Sequence, residues 1–125
     1  MSRLCVDSWA WLELLKGSRT GAAVKRHVSA SAEVLTTAPN LFEVLYRTTE
    51  DKGAEAASKA LELILNHAEI IPIGSEIAVK AVSVRKEEKL HAIDALSFAA
   101  AMLNGALFLT GDAEFRGKKG VIFIE

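Results

Sequence analysis

Short stretches with β-strand character alternate with longer stretches of helical periodicity along this chain of 125 residues. The predicted strands are 3–6, 33–36, 70–73, 106–109 and 121–124. The predicted helices are 8–16, 20–30, 39–50, 54–67, 75–90 and 93–103. Strands that alternate with helices favour a mainly parallel sheet covered by helices. We therefore expect an α/β fold, with a sheet of about five short strands flanked by helices, in a single domain spanning residues 1–125.

The charge balance and the single cysteine exclude several classes of protein. Lys and Arg number 15 and Asp and Glu 16, which leaves a net charge of −1 and no polybasic segment for a membrane or a nucleic acid. Cys5 alone cannot form an intrachain disulfide or a cysteine-rich zinc site. The most apolar stretch, 95–109, is interrupted at Asn104-Gly105 and is too short to span a bilayer. We expect a cytoplasmic protein without a signal peptide. Its mean hydropathy of +0.22 suggests that a partner covers some apolar surface.

Four acidic residues occupy related positions in the predicted sheet. Asp7 directly follows the first strand, Asp112 follows the fourth strand after a short turn, and Glu43 lies one turn into the helix after the second strand. Asp94 lies in the first turn of an otherwise apolar helix. Because the carboxyl ends of parallel strands share one edge with the N-termini of the following helices, these side chains are expected to meet there.

Each acid also has a purely structural explanation. Asp7 or Ser8 can cap a helix, Asn40 with Glu43 fits a capping box, and Asp94 can complement a helix dipole. Asp112 can belong to an ordinary turn. As a group, however, converging carboxylates in apolar surroundings would repel one another and cost several kcal/mol each. A divalent cation removes both problems, and oxygen ligands without cysteine suit Mg²⁺ or Mn²⁺.

The acids lie in four blocks of sequence that, taken in order, resemble the PIN-domain family, and most closely the VapC-type toxin ribonucleases of prokaryotic toxin–antitoxin pairs. The blocks are Leu4-Cys5-Val6-Asp7-Ser8, Asn40-Leu41-Phe42-Glu43-Val44, Ala92-Ile93-Asp94-Ala95-Leu96-Ser97-Phe98-Ala99-Ala100 and Leu109-Thr110-Gly111-Asp112-Ala113-Glu114-Phe115. No block is specific alone, but their order and spacing are. One departure is Glu114, which stands where the family often has Asp.

The resemblance implies an endoribonuclease that needs Mg²⁺ or Mn²⁺ and hydrolyses RNA with a metal-activated water, leaving a 5′-phosphate and a 3′-hydroxyl. By this resemblance Asp7 and Asp94 are the principal metal ligands, Asp112 completes the site directly or through water, and Glu43 holds a water or a second ion. The residues expected to orient or support these carboxylates are Ser8, Thr110 and Glu114.

RNA needs cationic contacts that the acidic pocket does not offer. Candidate phosphate contacts are Arg47, Arg116, Lys118 and Lys119, for which the structural alternative is a solvated surface. The resemblance further implies a homodimer neutralised by a small antitoxin whose C-terminal part covers the acidic site. Trp9 and Trp11 are two residues apart on one helix, so they cannot both face the same core. One of them either packs at a corner of the fold or lines a groove for an apolar antitoxin segment.

Three further interpretations compete with the nuclease. A catalytically silent PIN-fold RNA-binding or assembly module would keep the fold, but it would gain nothing from holding four acids together. A phosphatase that uses an aspartyl-phosphate would want an acid two residues after Asp7, where Trp9 stands. A receiver-type signalling domain would need paired acids at the end of the first strand, and these are absent. His91 lies near Asp94, but the sequence alone gives it only a place at the start of a helix.

Overall fold

Five strands form one sheet in the computed structural model, which describes residues 2–125. The strands are β1 (Arg3–Val6), β2 (Glu33–Thr37), β3 (Glu69–Ile71), β4 (Leu107–Thr110) and β5 (Val121–Phe123). Their order is β3-β2-β1-β4-β5, and all four pairings are parallel. The predicted α/β fold with a sheet of about five short parallel strands is confirmed.

Helices cover both faces of this sheet. They are α1 (Ser8–Lys16), α2 (Arg19–Ala30), α3 (Ala38–Lys52), α4 (Ala54–His67), α5 (Ser75–Glu88) and α6 (Ala92–Leu103). One apolar core packs helices α1, α2, α3 and α4 against one face of the sheet, and it includes Trp11 and Ile64. A second core joins α5 and α6 to the opposite face around Phe98 and Phe108. The central strand β1 is therefore buried on both sides, as a continuous apolar run in a parallel sheet requires.

Several elements end at positions different from those predicted. Strand β3 ends at Ile71, before Pro72, which has no N–H to continue the ladder. Helix α5 ends at Glu88 because Lys89 adopts a left-handed conformation with φ 58°. A short 3₁₀ helix at Ala113–Phe115 lies in a segment predicted as loop. These shifts are small, and they leave the order of strands and helices as predicted.

The strand order reverses direction at the centre of the sheet. From β1 the chain proceeds to β2 and β3 on one side, whereas β4 and β5 lie on the other side. In open α/β sheets the crevice beyond the carboxyl ends of the strands at such a point is the usual place for ligands. The fold thus directs attention to the ends of β1 and β4. Within residues 2–125, none of the helices combines the length and the apolar character needed to cross a bilayer.

Candidate active site

The carboxyl ends of β1 and β4 bring Asp7 and Thr110 into direct contact. Val6 pairs with Leu109 in the sheet register, and the Asp7 amide continues the ladder to the Leu109 carbonyl at 3.2 Å. The Thr110 hydroxyl donates to Asp7 Oδ2 at 2.5 Å. The strands themselves therefore fix this carboxylate, with a hydrogen bond that spans 103 positions of sequence.

Asp7 also caps the helix that follows it. Its Oδ1 accepts a hydrogen bond from the Ala10 amide at 2.8 Å, and its backbone is extended, as an N-cap residue requires. The structural alternative for Asp7 is therefore confirmed. It leaves room for a ligand, since each carboxylate oxygen has a second lone pair.

Burial changes the acidity of Asp7, whose side chain is almost wholly inaccessible to solvent. Desolvation raises the pKa of its carboxyl to about 7, and repulsion from Asp94 and Asp112 adds to the rise. The hydrogen bonds that the carboxylate accepts oppose the shift without cancelling it. Within residues 2–125, no Lys or Arg forms an ion pair with any of these three aspartates. The protein itself thus leaves the negative charge at this position uncompensated.

Asp94 lies in the first turn of α6, half-buried among the other acids. Burial raises the pKa of its carboxyl to about 6, and repulsion from Asp112, Glu114 and Glu43 adds to the rise. His91 acts in the opposite direction. Asp94 therefore interacts with the acids near the strand ends and also with exposed Glu114, which together with His91 forms what we call the rim of the cluster.

The turn after β4 positions Asp112. Its amide donates to the Thr110 hydroxyl at 3.0 Å, and its Oδ1 accepts from the Glu114 amide at 3.1 Å, which caps the short 3₁₀ helix. Gly111 is needed between them, because a Cβ there would lie 2.3 Å from the ring of Trp9. The turn chemistry predicted for Asp112 is present, and it holds Asp112 and Glu114 on the same side as Asp7.

Glu43 joins the cluster from α3. Its Oε1 accepts a hydrogen bond from the Ser8 hydroxyl, and its Oε2 forms an ion pair with Arg47 at 3.0 Å. The alternative in which Asn40 and Glu43 form a capping box is wrong. The N-cap of α3 is Thr37, whose hydroxyl accepts from the Asn40 amide at 3.2 Å. Glu43 is thus free of the backbone and turned toward Ser8.

A buried polar chain behind Glu43 was not anticipated from the sequence. The Asn40 side-chain amide donates to Ser8 Oγ at 3.4 Å, and Thr37 donates to Asn40 Oδ1 at 2.8 Å. The hydroxyls of Thr37 and Ser97 are 3.1 Å apart, which links α3 to α6. All four residues are buried. The sequence carries one sign of this chain: its polar residues lie among apolar ones, and polar side chains buried in a core need hydrogen-bond partners.

His91 is another residue to which the sequence assigns no role in the site. It precedes α6, and its Nδ1 lies 3.3 Å from Glu114 Oε2. One potential ligand atom from each of His91, Asp94 and Glu114 lies within 4.8 Å of the others. The approach of the helix start to the 3₁₀ helix, about twenty residues later, creates this group.

The four predicted phosphate contacts divide into different environments. Arg47 pairs with Glu43, as described above. Lys118 Nζ lies 2.9 Å from the Glu88 carbonyl oxygen and 3.2 Å from its carboxylate, while Arg116 forms an ion pair with Glu125. Lys119 is exposed and forms no ion pair in the part of the chain that the structure describes. Arg47 is therefore the predicted cation in direct contact with the acidic cluster.

The two tryptophans differ as their spacing predicts. Trp11 is fully buried, and its Nε1 donates to Thr36 Oγ1 at 3.0 Å. Trp9 is half-buried and lies against Gly111 beside the acidic turn. Trp9 thus packs at a corner next to the site, whereas Trp11 belongs to the core.

The assembled side chains suit a hard divalent cation. Asp7, Asp94, Asp112, Glu43 and Glu114 offer only carboxylate oxygens, which are the ligands that Mg²⁺ and Mn²⁺ accept. The hydroxyls of Ser8 and Thr110 hold two of these carboxylates in position. Such a group can bind a cation and act on a phosphate ester brought to it.

Comparisons with known proteins give one family and a consistent set of structures. A model of the PIN domain matches residues 4–120. None of the proteins with curated functions matches significantly. A toxin–antitoxin complex from Klebsiella pneumoniae contains a chain with 25% identity and a TM-score of 0.79, with 95% of each chain covered.

Two further structures share the fold at lower identity. VapBC from Salmonella typhimurium, bound to DNA, matches at 15% identity and a TM-score of 0.78, covering 98% of this chain and 97% of that chain. VapC20 from Mycobacterium tuberculosis, described as a toxin that cleaves the Sarcin-Ricin loop, matches at 22% identity and a TM-score of 0.72, covering 94% and 98%. At these identities the likeness establishes the fold alone.

Proposed function

This chain belongs to the PIN domain family, and from that premise we propose that it is a divalent-cation-dependent endoribonuclease and the toxin of a VapBC-type toxin–antitoxin pair. The observation that carries the proposal is that carboxylates from four separate segments at one sheet edge lie close enough to affect one another's pKa values, while among residues 2–125 no Lys or Arg forms an ion pair with buried Asp7. The toxin–antitoxin structures with the same fold support the proposed context.

The donor set fits the cation that this proposal requires. Asp7, Asp94 and Asp112 would hold it, and the charge of the ion would offset the burial and the repulsion that raise the pKa values of Asp7 and Asp94. When bound, a divalent cation lowers the pKa of a water and neutralises charge developing on a phosphodiester. The ion is Mg²⁺ or Mn²⁺ by the oxygen character of the ligands.

The remaining side chains have positioning roles. Thr110 contacts the Asp7 carboxylate and the Asp112 backbone amide through one hydroxyl, which couples the positions of the two segments that carry these ligands. Ser8 donates a hydrogen bond to Glu43. In the proposed reaction, the Glu43 carboxylate would accept a hydrogen bond from the attacking water. Such hydrogen-bonded supports commonly change metal affinity or activity by about 10–100-fold when removed.

RNA would approach from the side of Arg47, because Lys119 precedes β5 and lies at the edge of the sheet opposite the acids. Arg47 has an exposed side chain next to Glu43, and it can exchange this ion pair for a phosphate while remaining at the site. Arg116 and Lys118 would join only by leaving their contacts with Glu125 and Glu88. The proposal therefore places Arg47 nearest the scissile phosphate.

The proposed partners are a second copy of the chain and a small antitoxin. Exposed apolar side chains on α5 and α6, such as Val79 at 73% and Val82 at 72%, are suited to a homodimer contact. A separate groove of ≈ 490 Å³ between α1, α2 and α4 is lined by residues including Leu14, Val28 and Leu63. An apolar antitoxin segment would fit there, with a basic residue of its C-terminal part reaching the acidic cluster.

The test is cleavage of single-stranded RNA by the purified protein, with Mn²⁺, with Mg²⁺ and with EDTA. Asp7→Asn and Asp94→Asn variants are compared with Asp51→Asn, which removes an exposed acid at the end of α3. Metal-dependent cleavage that only the first two variants lose supports the nuclease. RNA binding that neither metal nor these substitutions affect, without cleavage, would instead identify the silent binding module.

A further inference from the structure

A mixed nitrogen and oxygen group lies at the rim of the acidic cluster. His91, Asp94 and Glu114 each contribute a ligand atom, and these atoms lie within 4.8 Å of one another. His91 Nδ1 and Glu114 Oε2 are 3.3 Å apart. Ligand atoms about 2.1 Å from a shared ion lie at most about 4.2 Å apart. Small rotations of the exposed His91 and Glu114 side chains toward half-buried Asp94 would therefore bring all three into a coordination sphere.

Among residues 2–125, the His91 side chain has one ion-pair partner, Glu114, and it does not stabilise the helix that follows it. His91 occupies the N-cap position of α6, where Ser, Thr, Asp and Asn are preferred, yet its side chain makes no capping hydrogen bond. The side chain is 82% exposed, so it does not contribute to the core. Its contact is with the carboxylate of Glu114, which is itself 38% exposed. The histidine is thus presented to the rim rather than used to stabilise the helix.

Asp94 connects this rim group to the carboxylates at the strand ends. Burial raises the pKa of its carboxyl, and repulsion from Asp112, Glu114 and Glu43 adds to the rise, so Asp94 lies within electrostatic range of acids in both groups. A carboxylate has two oxygens, and it can serve one ion with each. The geometry therefore has room for a second position next to the one proposed at Asp7.

We propose that His91, Asp94 and Glu114 form an outer cation subsite, and that the nitrogen ligand makes it select a first-row transition ion such as Mn²⁺ over Mg²⁺. Imidazole suits transition ions, whereas Mg²⁺ prefers oxygen ligands throughout. The inference rests on the proposed function, since it places the second ion beside the proposed catalytic one. It adds the residue that sets the choice of metal.

The test compares the affinities of Mn²⁺ and Mg²⁺ by titration calorimetry in the absence of RNA. His91→Ala should weaken Mn²⁺ binding at the outer subsite about 10-fold and leave Mg²⁺ binding unchanged. His67→Ala is the matched control, because His67 is also exposed and ends a helix, but it contacts the Leu63 carbonyl, away from the acids. It should leave both affinities unchanged.

A second measurement follows the histidine itself. In NMR spectra of the Asp7→Asn variant, which lacks the charge of the inner acid, paramagnetic Mn²⁺ should broaden the imidazole signals of His91 before those of His67. Unchanged affinity ratios in His91→Ala, or broadening that is equal at both histidines, would overturn the outer subsite. If the wild-type protein does not cleave RNA, the nuclease proposal is refuted instead, so the two failures are distinguishable.

Discussion

Asp7 and Glu114 lie at opposite ends of the acidic cluster, and the fold holds them by different means. Asp7 follows a central strand, is 4% exposed, and accepts hydrogen bonds at both carboxylate oxygens. Glu114 lies on a short 3₁₀ helix with an exposed side chain, and among residues 2–125 its ion-pair partner is His91. One carboxylate is placed by the sheet before any ligand arrives, whereas the other can adjust to it.

The difference teaches where the free energy of this site resides. Placing Asp7 at the sheet centre costs stability in the absence of a cation, because burial disfavours its charged form. The same burial provides a ligand with a carboxylate oxygen that is already fixed and partly desolvated. The exposed residues of the rim cost the fold little stability. The rim is therefore the part of the site in which the preference for one ion over another can vary.

The comparison predicts its largest effect for Asp7→Asn. The substitution keeps the size of the side chain and the cap to Ala10, but removes the charge that a cation would need. RNA cleavage should fall on the order of 10³-fold or more, since a charged ligand contributes more than a neutral donor. Cleavage rates at saturating metal measure it. Glu114→Gln at the rim should lose much less, and equal losses in the two variants would break the distinction.

The second prediction concerns the stability of the metal-free protein. The folded pKa of Asp7 is raised from 3.8 to about 7, so the folded state binds more protons than the unfolded state between these values. The contribution of Asp7 is thus fully present below about pH 4 and is lost as pH rises to 7. At about 1.4 kcal/mol per pKa unit, the loss is roughly 4 kcal/mol. Asp94, with a pKa raised to about 6, changes stability in the same direction.

Urea denaturation in EDTA at pH 5 and pH 7.5 tests this prediction, and about 2–3 kcal/mol of the loss falls between these two pH values. Asp7→Asn should remove most of the loss, and saturating Mn²⁺ should reverse it in the wild-type protein. The pKa of Glu13 is lowered by hydrogen bonds from Thr20 and then Lys16, so its contribution has the opposite sign. Because Glu13 is present in both proteins, its effect cancels in the difference between them. A wild-type protein as stable at pH 7.5 as its variant would show that Asp7 carries no such cost.

The sequence allows prediction of the inner part of this cluster better than the rim. The sequence predicts that Asp7 and the turn after β4 lie at the same edge of a parallel sheet, and the observed pairing of β1 with β4 then brings Asp7 and Thr110 into contact. His91 is different, because its contact with Glu114 depends on how α6 packs against a turn. The N-cap at Thr37, and with it the release of Glu43, likewise depends on packing between α3 and the end of β1. Local sequence offered Asn40 as an equally good cap.

A third prediction separates support of the inner carboxylate from the rim. Thr110→Val keeps the shape of the side chain but removes the hydroxyl that joins Asp7 Oδ2 to the Asp112 amide. Mg²⁺ affinity should fall about 10–100-fold, as for other residues that orient metal ligands. Calorimetric titration measures it, with Thr49→Val as control, since Thr49 is an exposed residue of α3 that bonds the Leu45 carbonyl. If Thr110→Val binds Mg²⁺ as tightly as Thr49→Val, the inner site does not depend on the preset position of Asp7.

The smallest expected effect concerns the cation at the rim of the cluster. Arg47 pairs with Glu43 through an exposed side chain, so its exchange for an RNA phosphate gains little free energy and affinity should fall only a few-fold in Arg47→Ala. The dependence on salt is the sharper measurement. For single-stranded RNA, loss of one phosphate contact should reduce the slope of log affinity against log salt concentration by about 0.7. Lys59→Ala on α4 removes another exposed, ion-paired cation, whose partner Glu55 is outside the acidic cluster, and should leave the slope unchanged. Both variants are measured in the Asp7→Asn background, where RNA stays intact, and equal slopes would place the RNA path elsewhere than beside Glu43.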